Sequence, residues 1–260
     1  MQKLKSETYR IAKRLGLRSE FLVLLFKIRR LFRLQSDEEK KLFDFYKELI
    51  SNKSFLIFDI GANVGIRTSV FSRLSKSVIA VEPNHELVGI LESRFKGLNV
   101  IILEKACAAK ASVKEFFLGE NHLVSTLSTN FITHKKERGD SNSWNQRVEV
   151  ETISLDNLIT KCGIPDFCKI DVEGYEKEVL SGLSQKIGMI SFEFNYPTFE
   201  QETRFCLEKL YNLGYIQFNF SIGESLEMNF HSWVSFQEIY DFFKIDNFPF
   251  DWSYGDIYAI

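Results

Sequence analysis

The sequence predicts an α/β fold, a doubly wound sheet with a helical extension at its N-terminus. Three observations support this. Short apolar runs alternate with helix-like segments along most of the chain. The first apolar run ends in a glycine turn that leads directly into a helix, as in α/β proteins that hold a small molecule at the end of a sheet. The 260 residues, 45% hydrophobic and 26% charged, suffice for one well-buried domain and are few for two.

The N-terminal extension is strongly basic. Residues 1–35 contain ten Lys or Arg against two Glu, a net charge of +8. Their longest apolar run, Phe21–Phe26, is far shorter than the roughly 20 residues of a membrane-spanning helix, and no secretory cleavage site follows it. The favoured interpretation is an amphipathic helix packed on the domain edge or in a homodimer. The alternative is contact with an anionic membrane surface; nucleic acid is not expected as a partner.

The elements before residue 105 follow in regular order. Ser36 and Glu39 form a capping box at the start of a helix, and three strands with two intervening helices come next. The predicted segments are "FLIFDI" (strand), "SVFSRL" (helix), "SVIAVE" (strand), "HELVGILESRF" (helix) and "NVIIL" (strand). Such alternation is typical of a parallel sheet covered by helices.

The pattern weakens over residues 106–154 and then resumes. "SVKEFFLG" and "RVEVETI" are predicted strands, separated by the polar stretch 128–146, which is too long for a simple connection and is expected to be a mobile lid or a substrate loop. Later elements include the strand "FCKIDV", a helix that begins with the capping box Ser235 and Glu238, and the closing strand "DIYAI".

The glycine turn after the first strand does not match the common nucleotide signatures. A phosphate-binding P-loop requires a Lys–Ser or Lys–Thr pair that is absent here, and the dinucleotide fingerprint would place glycines where Asn63 and Ile66 stand. The pattern is instead DxGxxxG, from Asp59 through Gly61 to Gly65. It favours a ligand that has no phosphate and presents a cation and hydroxyls.

S-adenosylmethionine fits these requirements. Asp59 could pair with its methionyl ammonium, and the backbone N–H groups of residues 62–65 could bind its carboxylate at the helix start. Glu82, about twenty residues beyond the turn, is placed to accept both ribose hydroxyls. The predicted cofactor-binding residues are Asp59, Gly61, Ala62, Asn63, Gly65, Glu82, Pro83, Asn84 and Asp171.

Acidic residues also follow two later strands. Asp171 and Glu173 come at the end of the fourth strand, and Glu193 stands at the end of the next one. Two close carboxylates repel, which raises at least one pKa toward the range useful for a base. Asp171 is predicted to contact the cofactor or the acceptor, Glu173 to orient or deprotonate the acceptor, and Glu193 to be a third catalytic candidate. No metal is expected, because no histidine partner lies at ligand spacing.

Four segments in this order resemble the FkbM-type methyltransferase family: "FDIGANVGIRT", "VIAVEPN", "TISLDNLI" and "PDFCKIDVEGYEKEVLSGL". The resemblance runs from Phe55 to Phe194; no shared motif is recognised after Tyr196. It implies an S-adenosylmethionine-dependent O-methyltransferase that acts on a hydroxyl of a sugar, glycan, polysaccharide or related natural product. It also implies a seven-stranded Rossmann-like sheet whose final strand, "DIYAI", is antiparallel.

The domain expectation is therefore a basic helical extension over residues 1–50 and a methyltransferase domain over residues 51–260. The four cysteines show no metal-binding pattern and are expected to be reduced, which favours a cytoplasmic location, with the inner face of a membrane as an alternative. Two other functions remain open from the sequence. One is an NAD-dependent sugar-modifying oxidoreductase, and the other is a non-catalytic, cofactor-binding protein recruited to a membrane.

Overall fold

The computed structural model describes residues 37–50, 54–244 and 253–260. Helices and strands alternate along these residues. The helices are α1 (Asp37–Leu49), α2 (Ile66–Leu74), α3 (His85–Phe95), α4 (Thr129–Glu137), α5 (Leu155–Cys162), α6 (Glu176–Ser181), α7 (Glu200–Asn212) and α8 (Phe236–Phe242). The strands are β1 (Ser54–Ile60), β2 (Ser75–Val81), β3 (Val100–Leu103), β4 (Ala106–Cys107), β5 (Val113–Leu118), β6 (Gln146–Ile153), β7 (Phe167–Ile170), β8 (Met189–Tyr196), β9 (Gln217–Ile222), β10 (Val234–Ser235) and β11 (Ser253–Ala259).

The main sheet has the order β10-β9-β11-β8-β7-β1-β2-β3. The strands from β8 to β3 run parallel, whereas β11 is antiparallel to both β8 and β9. The predicted doubly wound fold is confirmed, including the antiparallel final strand; the two-residue β10 adds an eighth strand at the edge. The winding reverses between β1 and β7, and the carboxyl ends of these two strands therefore flank the expected ligand cleft.

Helices cover both faces of the parallel strands, which explains their nearly continuous apolar sequences. On one face, Tyr46 of α1 contacts the rings of Phe71 (α2) and Phe167 (β7), with centroids 4.9 and 5.8 Å apart. On the other face, α5, α6 and α7 pack on β7 and β8 in the largest hydrophobic cluster. This packing holds the carboxyl ends of β1, β2 and β7 in fixed positions.

Residues 106–154 differ from the sequence expectation in two ways. The predicted strands β5 and β6 form an antiparallel pair in a separate three-stranded sheet, β4-β6-β5. The polar stretch 128–146, expected to be a loop, contains the helix α4, which the sequence did not predict. Ser128 caps it by accepting a hydrogen bond from the Phe131 N–H at 3.1 Å. Thr and Asn at its start are weak helix formers, so the helix is stabilised mainly by packing of its apolar residues.

Other expectations have mixed outcomes. The capping box of Ser235 and Glu238 is confirmed at the start of α8. All four cysteines are free thiols, as expected. The basic segment 1–35 and Ser36 of the first capping box lie outside the described residues. Within the described ranges, no helix combines the length and the hydropathy needed to cross a membrane.

Candidate active site

The turn after β1 is fixed by its contact with the end of β7. Gly61 has φ +85°, and a Cβ atom there would lie 1.8 Å from the backbone oxygen of Asp171. The Asp171 N–H in turn donates to the Ile60 oxygen at 2.9 Å. Only glycine permits this approach of the two backbones. The spacing at position 61 therefore sets the width of the cleft at the switch point of the sheet.

Asp59, in β1, lies beneath the turn with 2% of its surface exposed. Its carboxylate accepts a hydrogen bond from the Thr68 hydroxyl at 2.5 Å. Burial raises the pKa of Asp59 to about 6, although Thr68 and Arg67 oppose the rise. Asp59 thus links the end of β1 to the first turn of α2 through Thr68.

The rest of the turn leads into α2 without a side-chain cap. The Ala62 N–H donates to the Val81 oxygen at 3.1 Å, and Asn63 adopts a left-handed conformation with φ 52°. Gly65, the N-cap of α2, has φ 78° and packs on α3 so closely that a Cβ would approach Phe95 at 2.6 Å. The first turn of α2 contains no acid, so its N–H groups can donate hydrogen bonds to an anionic ligand.

Glu82 follows β2 and is 5% exposed. Its two carboxylate oxygens accept the N–H groups of Asn63 at 2.8 Å and Asn84 at 2.9 Å. Burial raises its pKa to about 7, against the effect of these hydrogen bonds. Pro83 is half-buried, and Asn84 caps α3 by accepting from the Glu86 N–H. The sequence-predicted residues of β1 and β2 thus lie side by side, joined by the Glu82–Asn63 hydrogen bond.

Asp171 lies between two cations at the end of β7. Its carboxylate is 3.2 Å from the Lys169 ammonium and 3.4 Å from the Arg67 guanidinium. Lys169 is fully buried and also contacts Asp256 of β11 at 2.8 Å. Burial opposes ionisation of Asp171, but the two cations outweigh it and lower its pKa. Asp171 is therefore an ionised carboxylate at neutral pH.

Glu173 and Glu193 have the opposite electrostatic character. Burial, followed by the negative charge of Asp171, raises the pKa of both well above the usual value. Glu173 stands in a left-handed conformation with φ 56°, and Asn195 donates to Glu193 at 3.3 Å. These two groups therefore hold protons more readily than ordinary carboxylates do.

The three predicted catalytic acids converge. One carboxylate oxygen from each of Asp171, Glu173 and Glu193 lies within 4.8 Å of the others. Three oxygens at this spacing could also accept a divalent cation, so the absence of a metal stays a prediction. The structure brings these acids together from two neighbouring strands, although Glu193, predicted at the end of its strand, lies within β8.

Residues 119–147 border the cleft, and we call this segment the insertion. The Asn63 side chain donates to the His122 oxygen at 3.4 Å, and the Thr126 hydroxyl donates to the Glu173 oxygen at 2.8 Å. The insertion thus contacts both the β1 turn and the β7 turn. His122 is partly buried, and the loss of solvation lowers its pKa to about 4 and keeps it neutral.

A cavity of about 220 Å³ lies between α4 of the insertion and the start of α7. Aromatic and basic side chains line it, and Asn195 connects it to Glu193 through their hydrogen bond. The cavity therefore opens beside the acid cluster. Its lining residues are Phe131, His134, Lys135, Arg138, Gly139, Asp140, Asn195, Thr198 and Phe199.

Sequence reasoning missed several residues of the site. Lys169 is a lysine in an otherwise apolar strand, two residues before Asp171 and hence on the same face, and this signal could have revealed the pair. Arg67 and Asp256 carried no local signal, because strand order brings them to Asp171 and Lys169 from distant segments. Glu176, whose carboxylate accepts the N–H groups of Val172 and Gly174, closes the β7 turn.

A family model described as "Methyltransferase FkbM domain" matches residues 59–250. The chain belongs to the FkbM methyltransferase family. The match covers every predicted site residue and continues past Tyr196, where the sequence analysis recognised no shared motif. No curated protein sequence matches the chain.

Several solved structures are similar to this FkbM methyltransferase in fold. A precorrin-6y C5,15-methyltransferase from Geobacter metallireducens GS-15 is 15% identical, with a TM-score of 0.43 and 85% of this chain and 86% of that chain covered. An O-methyltransferase from Thermotoga maritima is 14% identical, with a TM-score of 0.42 and 90% and 69% covered. TYW2 from M. jannaschii, solved with AdoMet, is 13% identical, with a TM-score of 0.41 and 87% and 76% covered.

The cofactor of this FkbM methyltransferase is S-adenosylmethionine, and the chemistry of the cleft fits it. Asp171 is an ionised carboxylate at the edge of the cleft, and Glu82 offers oxygens for hydroxyl groups. The uncapped start of α2 suits a carboxylate rather than a pyrophosphate, because Asn63 replaces the glycine that a pyrophosphate would require.

Proposed function

We propose that this FkbM methyltransferase transfers a methyl group to a hydroxyl of a sugar or glycan. The observation that carries the proposal is the acid cluster: one ionised carboxylate and two carboxyl groups of raised pKa lie within 4.8 Å of one another, beside a cavity with aromatic and basic walls. A hydroxyl must lose its proton when it is methylated, and this cluster can accept it.

Several residues hold the donor in this proposal. Asp171 pairs with the methionyl ammonium, and the N–H groups at the start of α2 bind the methionyl carboxylate. Glu82 accepts the ribose hydroxyls while its hydrogen bond from Asn63 keeps it beside the turn. Asp59 acts from below by bracing Thr68, because its carboxylate is buried and already hydrogen-bonded.

Bound S-adenosylmethionine supplies an electrophilic methyl group on a positively charged sulfur. The ionised form of Glu173 would accept the proton of the acceptor hydroxyl on a carboxylate oxygen when that hydroxyl is methylated. Burial and the negative charge of Asp171 raise the pKa of Glu173 and hence its affinity for the proton. Asp171 stays ionised because Lys169 and Arg67 flank it.

Two effects account for the rate in this mechanism. Alignment of the acceptor oxygen with the methyl group can contribute up to about 7–11 kcal/mol. Removal of the proton by a positioned base contributes a factor of roughly 10²–10⁴. The left-handed backbone of Glu173, held by the hydrogen bond from Thr126 to its oxygen, fixes the direction of the base.

Glu173→Gln tests the proposal. It removes the base but keeps the size of the side chain, so turnover should fall by roughly 10²–10⁴ while affinity for S-adenosylmethionine is retained. Turnover is measured on a panel of monosaccharides and glycans by mass spectrometry, as addition of one methyl group. Glu149→Gln, an exposed glutamate on β6, is the matched control and should be fully active.

Three results would contradict the proposal. Full activity of Glu173→Gln would remove Glu173 from proton transfer. Loss of turnover after treatment with EDTA would indicate metal assistance instead of a carboxylate base. Binding of S-adenosylmethionine without turnover on any acceptor would favour a non-catalytic, cofactor-binding protein.

A further inference from the structure

We propose that the cavity between α4 and α7 binds an anionic group of the acceptor, so that the enzyme methylates sugars that carry a carboxylate or a phosphate. This inference rests on the proposed function, and it names the substrate class of the same site. The argument depends on the walls of the cavity, on the distribution of charge along it and on its size.

One wall of the cavity is aromatic. The rings of Phe131 and Phe199 stack with centroids 6.3 Å apart and an interplanar angle of 26°, and His134 meets Phe199 edge-on at 5.5 Å. Phe131 also packs against Gly174, the neighbour of Glu173, where an added Cβ would approach its ring at 3.0 Å. The aromatic wall thus extends from α4 to the catalytic turn.

The α4 end of the cavity is basic. Lys135 and Arg138 both line it, and the only acid on the described lining is Asp140, 4.0 Å from the Lys135 ammonium. The described lining thus carries two cationic side chains and one carboxylate. A guanidinium and an ammonium side by side are the donors that recognise carboxylate and phosphate groups.

The opposite end of the cavity is acidic. Asn195 lines it there and donates to Glu193, which belongs to the acid cluster. The cations on α4 attract an anionic group, whereas the catalytic end offers it no cation in the cavity lining. This difference favours the orientation with the charged group on α4 and a hydroxyl toward Glu173.

The size of the cavity limits the acceptor. Its volume of about 220 Å³ is below the ~300–1,000 Å³ of pockets for drug-sized ligands. One sugar unit therefore fits within it better than a large macrocycle does. Further units of a glycan would extend from its open side.

The test uses three probes on the full-length protein: glucuronic acid, glucose 6-phosphate and methyl glucoside. Binding is measured by calorimetry in the presence of S-adenosylhomocysteine, and turnover by mass spectrometry. We expect the protein to bind an anionic probe ~10–100 times more tightly than the neutral one, and to use it with a kcat/KM higher by the same factor. This is the range expected when a hydrogen bond to a charged group is gained. The two anionic probes distinguish a carboxylate from a phosphate acceptor.

Lys135→Gln combined with Arg138→Gln should abolish this preference, so that the anionic probes lose their advantage over methyl glucoside in both binding and turnover. Lys136→Gln is the matched control, because it removes an exposed positive charge from the same helix but does not line the cavity. The preference should persist in the control and decrease at high salt.

The outcomes separate this inference from the proposed function. Equal binding of all three probes, no binding of the anionic ones, or a preference that survives in the double variant would overturn the anionic site. Charge-dependent binding without methylation of any probe or of their glycans would leave the anionic site standing and contradict the proposed function. Equal methylation of charged and neutral probes would contradict the anionic site and leave the proposed function standing.

Discussion

At the scale of single residues, the cleft depends on a backbone contact. Gly61 and the Asp171 oxygen approach so closely that no side chain fits between them. This contact positions the β1 turn, which holds the donor in our proposal, against the β7 turn, which carries Asp171 and Glu173 of the acid cluster. The glycine is therefore needed for space as well as for its backbone angle.

Gly61→Ala should prevent formation of the cleft. Gly97→Ala is a matched control, because Gly97 has φ +73° but no atom within 4 Å of an added Cβ. The control should lose about 1–2 kcal/mol of unfolding free energy, the cost of a left-handed alanine. Gly61→Ala should lose more and should also lose affinity for S-adenosylhomocysteine, as measured by urea unfolding and calorimetry. Equal losses in the two variants would show that the close approach is unimportant.

The residue scale also shows what the sequence could predict of the site. The sequence placed Asp171, Glu173 and Glu193 on two consecutive strands, and their carboxylate oxygens do lie together. Their charge states could not be predicted, because these depend on partners from remote segments. Asp171 is ionised owing to Lys169 and to Arg67 of α2.

At the scale of elements, the insertion connects the two turns of the cleft. His122 and Thr126 contact Asn63 and Glu173, respectively. Periodicity revealed the strands and helices of the main sheet, since each is a local pattern. It did not reveal α4 or the separate sheet of β5 and β6, because these are stabilised by contacts between segments distant in sequence, such as Phe131 with Phe199.

Thr126→Val should loosen this connection. The buried Thr126 hydroxyl donates to the Glu173 oxygen and accepts from the Ser128 N–H, both at 2.8 Å, and valine makes neither bond. The variant should lose about 1–3 kcal/mol of stability, and hydrogen exchange should accelerate over the insertion. Thr133→Val, an exposed site on α4 whose hydroxyl bonds only within the helix, is the control. Unchanged exchange in Thr126→Val would show that the insertion is held by other contacts.

At the scale of the whole molecule, the fold gathers several acids in one buried region. Burial is the main cause that raises the pKa of Asp59 to about 6 and those of Glu82 and Glu176 to about 7. Glu173 and Glu193 shift in the same direction. A folded protein without ligand therefore carries an electrostatic cost when these groups ionise.

Stability without ligand should fall as the pH rises from about 5 to about 8. A carboxyl group whose pKa is raised by folding stabilises the protein below its unfolded pKa, and this contribution is lost as the pH passes the folded value, here about 6–7. Asp171, whose pKa is lowered, loses its contribution only under more acidic conditions. The melting temperature across this range is the measurement. A constant or rising value would show that these acids are not buried as described.

The central claim is that acids at the carboxyl ends of β2 and β7 hold the methyl donor beside the β1 turn. Calorimetric titration of S-adenosylhomocysteine into the wild type, Glu82→Ala and Glu86→Ala tests it most directly, with circular dichroism to confirm folding. We predict that Glu82→Ala weakens binding by a factor of ~10–100, because the ribose hydroxyls lose a charged acceptor. Glu86→Ala, an exposed acid four residues away, should bind normally. Wild-type affinity in a folded Glu82→Ala variant would contradict the account.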